Sequence, residues 1–302
     1  MGSMAEPAAP VTADVARHDV PRGGRSGYAI VDDRQVHYLE WGRTGAPPVL
    51  ALHGGGQTAY MFEDLGAALR DTHHVLAPDL PNHGDSDGFE PDLLFSRAAL
   101  AGTVPPLLDE FGLTRVVVVG ASLGGITGVT LAASRPEIVA GLVLIDVGHR
   151  LETAGVERII DFMRAHESFG SLEEAAADIA GYLPQRQPAT PERLTRNLRQ
   201  RPDGRWVWKH AYGRAGASEQ QTRNWRDVID GLDDDARLVD APALVLRGAE
   251  SDVLSPDGGA EIADLLPRGR LAVVEKAGHL AAGDNPHTTV GEIQTFLAEL
   301  GW

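Results

Sequence analysis

Short apolar runs separated by polar, helix-patterned stretches recur along most of the chain. Tyr28–Val31 and Val36–Trp41 flank Asp32-Asp33-Arg34 and predict two strands in a hairpin-like opening. Pro48–Leu52, His74–Pro78, Val116–Val119 and Val139–Ile145 are continuous apolar runs, the pattern of strands buried on both faces. Between them, Glu63–Arg70 and Leu93–Phe111 carry helical spacing, the second broken at Pro105-Pro106. Alternation of this kind predicts a mostly parallel sheet with right-handed crossovers and helices on its faces.

The alternation stops after Asp146. From about His149 to Asp235 no buried strand is evident. Val156, Ile159, Ile160 and Met163 form one helical stripe; Ser171-Leu172-Glu173-Glu174 is a capping box; Thr190-Pro191-Glu192 opens another helix. Gly204–His210 is an aromatic-rich interruption, and Asp233-Asp234-Asp235 reads as a solvated edge. The sheet pattern resumes at Ala243–Gly248 and Leu271–Val274, and a helix from about Pro286 to Leu300 closes the chain. The expected organisation is a tail over 1–24, a core of 25–148 and 236–302, and a helical insertion over 149–235. No internal repeat is seen.

The richest stretch is Val116–Gly125. Four valines lead into Gly120-Ala121-Ser122-Leu123-Gly124, and helical spacing follows until Pro136. Ser122 therefore sits on a tight turn between a buried strand and a helix, its hydroxyl at the strand's carboxyl end. The amide of Leu123 lies at the helix amino terminus, where partial positive charge favours an oxyanion. His53-Gly54-Gly55-Gly56 follows another buried strand, and its glycines can turn to expose successive N–H groups.

A serine nucleophile needs a base within reach and a group to orient that base. Ligand sites in parallel sheets lie beyond the carboxyl ends of strands. Ser122, Asp146, Glu250, Asp252 and His279 satisfy that condition; His73, His166 and His287 do not. His279 follows Gly278 in a short loop after the last strand. Asp252 lies in a loop long enough to swing a carboxylate back to it; Glu250 could do the same, and Asp146, nearer its strand end, is the competitor. Asp79–Ser86, with His83 and Asp85, reads as a turn, and His37 as a solvent-facing strand residue without a role.

Composition narrows the function classes. The 302 residues are 43% hydrophobic, enough for a full core. A formal charge of −16 opposes binding to nucleic acid or anionic membranes. There is no cysteine, so disulfide and thiolate chemistry are absent. Of 27 basic residues only Lys209 and Lys276 are lysine. Met1-Gly2-Ser3-Met4 has the look of a cloning remnant, and no apolar run has the length of a membrane span, so a cytoplasmic protein is expected.

His53-Gly54-Gly55-Gly56, Asp79–Ser86, Gly120–Gly125, Arg247–Asp252 and Ala277-Gly278-His279, in that order, resemble the α/β-hydrolase superfamily from about Tyr28 to Leu300. The resemblance implies an α/β-hydrolase fold with an inserted helical cap. It implies Ser122 as nucleophile, His279 as base, Asp252 as orienting acid, and an oxyanion hole of the Gly55 and Leu123 amides. Gly54 would border the substrate; Trp206 and Trp208 read as part of the cap core, with one of them lining the acyl or alcohol pocket as the alternative. The implied chemistry is hydrolysis of a small-molecule carboxylic ester or lactone through an acyl-enzyme, with no cofactor or metal. Ser122 disfavours the dehalogenase and epoxide hydrolase branches, which carry aspartate there. Cleavage of carbon–carbon bonds in ring-fission products is an alternative, weakened by Leu280 in place of tryptophan. A non-hydrolytic receptor or cyclase is another. The chain is also open to pairing as a homodimer.

Overall fold

The computed structural model describes residues 18–89, 96–183, 186, 188–210 and 225–302. Twelve strands are present among the described residues: β1 His18–Val20, β2 Gly24–Val31, β3 Arg34–Trp41, β4 Pro48–Leu52, β5 His74–Pro78, β6 Val116–Ala121, β7 Val139–Ile145, β8 Ser168–Phe169, β9 Leu198–Gln200, β10 Trp206–Trp208, β11 Ala243–Gly248 and β12 Gly269–Val274. Nine of them form one sheet in the order β1-β2-β3-β5-β4-β6-β7-β11-β12. Pairing is antiparallel from β1 to β3 and between β3 and β5, and parallel from β5 through β12.

The first hairpin turns on Asp32 and Asp33, whose φ values of 50° and 62° suit a two-residue turn twisted like its strands. The valines of β6 divide by parity. Val116 and Val118 join the apolar cluster on one face of the sheet; Val117 and Val119 join the cluster on the other. A buried valine is worth about 1.5–3 kcal/mol over an exposed one, so this strand anchors both layers.

Helices cover both faces: α1 Glu63–Leu69, α2 Arg97–Gly102, α3 Val104–Glu110, α4 Leu123–Ser134, then α5 Thr153–Ala165, α6 Leu172–Tyr182, α7 Pro191–Leu194, α8 Trp225–Ile229, α9 Leu232–Arg237, α10 Pro256–Leu265, α11 Ala281–Asp284 and α12 Pro286–Leu300. The prolines expected to interrupt a helix instead open α3, where their missing N–H groups have no intrahelical partner to lose. Leu93 to Phe95 lie outside the described residues.

Three expectations differ from the structure. The tail predicted over 1–24 is ordered from His18, because β1 pairs with β2; residues 1–17 lie outside the described set. The insertion is not purely helical: β8, β10 and β9 form a small antiparallel sheet over Phe169, Ala175, Leu194 and Leu198. Of the acidic run in α9, Asp235 accepts from Thr130 Oγ1 of α4 and pairs with Arg97, while Asp234 is exposed, so the edge expected to be solvated is tied to the core at its last residue. Among the described residues no helix is long and apolar enough to cross a membrane.

His37 also departs from expectation. It is 2% exposed, because β3 is enclosed between β2 and β5. Its Nδ1 donates to Asp79 Oδ2 at 2.6 Å, and its Nε2 accepts from Ser26 Oγ at 2.9 Å. Asp79 further accepts the N–H groups of Ala59, at 2.7 Å, and Asp85, at 3.0 Å. Burial alone would raise the Asp79 pKa; the hydrogen bonds from His37 and the Ala59 amide hold it below the ordinary aspartate value. A lowered native pKa gives stability that is complete above the unfolded value of about 3.9 and is lost as pH falls through the native value. Asp79→Asn should therefore cost about 2–4 kcal/mol in urea denaturation at pH 7. Its stability should also decline less than wild type between about pH 5 and pH 3; parallel declines would contradict the assignment.

Candidate active site

Ser122 follows β6 and precedes α4 with φ 45° and ψ −116°, a conformation that costs about 1–3 kcal/mol for a residue with a Cβ. The neighbouring glycines make the turn possible. A Cβ on Gly124 would collide with the Leu52 carbonyl, so only glycine lets α4 pack this close to the end of β4. Thus the buried valine strand, the close helix and the strained serine are consequences of one local sequence.

Ser122 opens into a cavity of about 1070 Å³. Its wall includes Gly54, Gly55, Leu123, Asp252, His279 and Trp208 among the residues expected from sequence. Trp206 is not part of that wall; it packs on the small apolar cluster of the insertion. Trp208 donates from Nε1 to the His166 carbonyl at 2.8 Å and stacks on His210 at 5.5 Å.

The histidine meets a different carboxylate from the one expected. His279 Nδ1 lies 2.7 Å from Asp146 Oδ2. Asp146 stands directly after β7 with φ 53°, and its position is over-determined: Oδ1 accepts the Gly248 N–H at 3.0 Å, and Oδ2 accepts the Ser251 hydroxyl at 2.6 Å. Asp252 instead receives Nε and Nη2 of Arg158, from α5, at 2.8 and 2.6 Å. The guanidinium fork comes from the insertion, a contact with no local sequence signal. Asp146 did carry a signal. It directly follows the strand adjoining the nucleophile strand, and the short Ser251 loop reaches back to it.

The glycine loop is fixed by two buried histidines. His53 Nδ1 donates to the Gly54 carbonyl at 2.8 Å and its Nε2 accepts the Leu80 N–H at 2.9 Å. His83 Nδ1 donates to the Pro81 carbonyl at 2.9 Å and its Nε2 accepts the Gly56 N–H at 3.1 Å. The Gly54 N–H donates to Gln57 Oε1 at 3.2 Å. Among the described residues the Gly55 N–H meets no acceptor, and the first-turn N–H of Leu123 has none within its helix. Both residues line the cavity that Ser122 borders. Sequence reasoning took His83 for a turn residue; its role as acceptor for Gly56 depends on the fold bringing two loops together.

Ser26, His37 and Asp79 are also hydrogen-bonded in series, but Ser26 is 1% exposed and lies outside the cavity wall. His37, Asp79 and Asp85 also bring ligand-type atoms within 4.8 Å. Those atoms are engaged with one another and with Lys209, which donates to Asp85 at 2.8 Å.

A family model described as the alpha/beta hydrolase fold matches residues 47–286. The chain is 32% identical over 270 residues to the esterase Rv0045c of Mycobacterium tuberculosis, covering 87% of this chain and 86% of the relative. It is 29% identical over 261 residues to the sn-1-specific diacylglycerol lipase ABHD11 of Mus musculus, covering 83% and 81%. The crystal structure of the same mycobacterial esterase superposes with a TM-score of 0.71 at 28% identity, covering 91% of each chain. That of E-2-(acetamidomethylene)succinate hydrolase gives 0.78 at 24% identity, covering 90% of this chain and 98% of the other, a likeness of fold.

Burial lowers the pKa of both loop histidines. For His83 the charges of His53 and His210 add to burial, against the Pro81 carbonyl and Asp79, and the value falls well below 6.5; for His53, Asp79 and the Gly54 carbonyl oppose it. Such groups stabilise the fold fully above about pH 6.5 and lose that contribution as pH falls through their native values. His83→Gln keeps an acceptor for Gly56 and removes the titration. Urea midpoints measured from pH 7.5 to 5 should fall for wild type and fall less for this variant. An identical slope would show that His83 does not contribute.

Proposed function

The chain belongs to the alpha/beta hydrolase fold family, and from that membership and the geometry of its cavity we propose that it is a serine hydrolase of carboxylic esters. The carrying observation is the 2.7 Å contact between His279 and the buried Asp146, on the cavity that Ser122 also borders. The esterase and lipase among its relatives support the ester as the bond cleaved.

In this reading Asp146 accepts from His279 Nδ1–H, which leaves Nε2 as the basic nitrogen and favours the imidazolium when it forms. His279 takes the Ser122 proton as the hydroxyl oxygen attacks the ester carbonyl. The carbonyl electrons move onto oxygen, where the Gly55 and Leu123 amides receive the charge; a donor of this kind is worth on the order of 10²–10³ in rate. His279 then returns the proton to the departing alcohol, leaving an acyl-enzyme. Water attacks that ester by the same route and regenerates the serine. The segment between β7 and α9 acts as a cap, its α5 and α6 closing the cavity over the acyl or alcohol chain.

Two measurements test the assignment. A fluorophosphonate should add once to the intact protein, and Ser122→Ala should abolish the adduct. On a p-nitrophenyl ester, Asp146→Asn should lower kcat by about 10³–10⁴, whereas Asp252→Asn should lower it less than about tenfold. The reverse order would return the acid role to Asp252.

A further inference from the structure

Arg186 stands on the cavity wall with an incomplete set of partners. Its nearest carboxylate oxygen, Asp284 Oδ1, is 3.9 Å from Nε, an ion-pair distance beyond hydrogen bonding. Asp284 is itself engaged, its Oδ2 accepting the Gly278 N–H at 3.0 Å. Among the described residues no side-chain hydrogen bond from Arg186 is formed, although a guanidinium carries five N–H donors. The neighbouring arginine differs: Arg193 donates to Glu63 Oε2 at 3.2 Å, beside Arg196 at 2.6 Å.

The wall is shaped for this guanidinium. A Cβ on Gly283 would collide with Arg186 Nη2, so the group packs against the glycine of α11. Gly283 follows His279 by four residues, which puts the fork on the same wall as the proposed base. Burial, reinforced by the Arg193 charge and opposed by Asp284, lowers the Arg186 pKa. A half-buried cation with idle donors is costly to hold and gains most when a ligand supplies the missing acceptor. In a chain of net charge −16 such a group is also the feature needed to admit an anion.

We propose that Arg186, seated on Gly283, is an anion subsite that selects esters bearing a free carboxylate, the half-esters of dicarboxylic acids. The planar fork matches a carboxylate with two parallel hydrogen bonds, which a point charge cannot reproduce. The inference rests on the ester-hydrolase reading for its reaction: water is consumed, and a dicarboxylate and an alcohol leave.

The test compares mono-p-nitrophenyl glutarate with neutral p-nitrophenyl pentanoate. Wild type should prefer the acidic ester in kcat/KM. Arg186→Gln should reduce that preference by roughly 10- to 100-fold, the range of charge-assisted hydrogen bonds, and Arg186→Lys should restore only part of it. Gly283→Ala, which pushes the fork away, should act in the same direction. Calorimetric titration of Ser122→Ala protein with glutarate and with inorganic phosphate, with and without Arg186→Gln, reads binding without turnover. Glutarate should bind more tightly than phosphate and lose affinity with Arg186. Equal losses on both esters, glutarate binding indifferent to Arg186, or tighter binding of phosphate would overturn the proposal. If wild type cleaves neither ester, the hydrolase reading falls, and the glutarate titration still decides the subsite.

Discussion

A parallel sheet buried on both faces leaves one place for polar chemistry, the carboxyl edge of its strands. Everything at the candidate site follows from that constraint. Ser122 follows β6, Asp146 follows β7, and His279 comes a short loop after β12. Ser122 and Asp146 share a further property: both have positive φ, at 45° and 53°. Each turns sharply out of its strand, so its side chain leaves the apolar layer within one residue. That strain, about 1–3 kcal/mol at each residue, persists because the strands behind are locked in two apolar clusters at once. A strand buried on one face only would relax it.

The glycine loop shows how the remaining polar groups are allocated. Three consecutive glycines offer three amides, yet a functional loop needs one of them free and aimed. Gln57 takes the first and His83 takes the third. The middle one is left to the cavity. Both supporting histidines use Nδ1–H on a carbonyl and Nε2 on an amide, an arrangement available only to the neutral ring. Burial lowers their pKa and so favours the neutral ring that this arrangement requires. The loop's order and the protonation of its supports are one physical fact.

The long apolar runs were legible in the sequence because β-branched and aliphatic residues in sequence have few alternatives to a buried strand. Val116–Val119 and Val139–Ile145 appear as strands with nearly the expected bounds. What escaped depended on contacts distant in sequence. Asp252 sat in a loop of suitable length, but Arg158 arrives from the insertion and engages it. His37 occupied a solvent-like position in an alternating strand, but Ser26 of β2 and Asp79, just after β5, enclose it. Strands of two and three residues, as in β8 to β10, are too short for period-2 alternation to register. Trp206 and Trp208, two residues apart on β10, share a face of the strand and both pack on the insertion's cluster, and Trp208 also reaches the cavity.

The attachments of the insertion differ in kind from those of the core. Phe169, Ala175, Leu194 and Leu198 form a cluster of their own, whereas Val228 and Leu232, near the end of the insertion, join an apolar cluster of the sheet. Its links across the cavity are polar: Arg158 to Asp252, Arg193 and Arg196 to Glu63, Lys209 to Asp85, and Thr58 Oγ1 to Asn197 Oδ1 at 3.1 Å. Exposed pairs of this type contribute about 0–1 kcal/mol each; at Glu63 the carboxylate is buried and receives two guanidinium groups, so removing either side would leave a buried charge short of partners. The insertion thus meets the core through polar links along the cavity rim and through the apolar packing of Val228 and Leu232 at its end. The arginines that do this work are drawn from the same segment that borders the substrate space. Attachment and ligand recognition therefore draw on one chemistry, and a guanidinium whose protein carboxylate stays beyond hydrogen-bond distance becomes a place for the ligand's own.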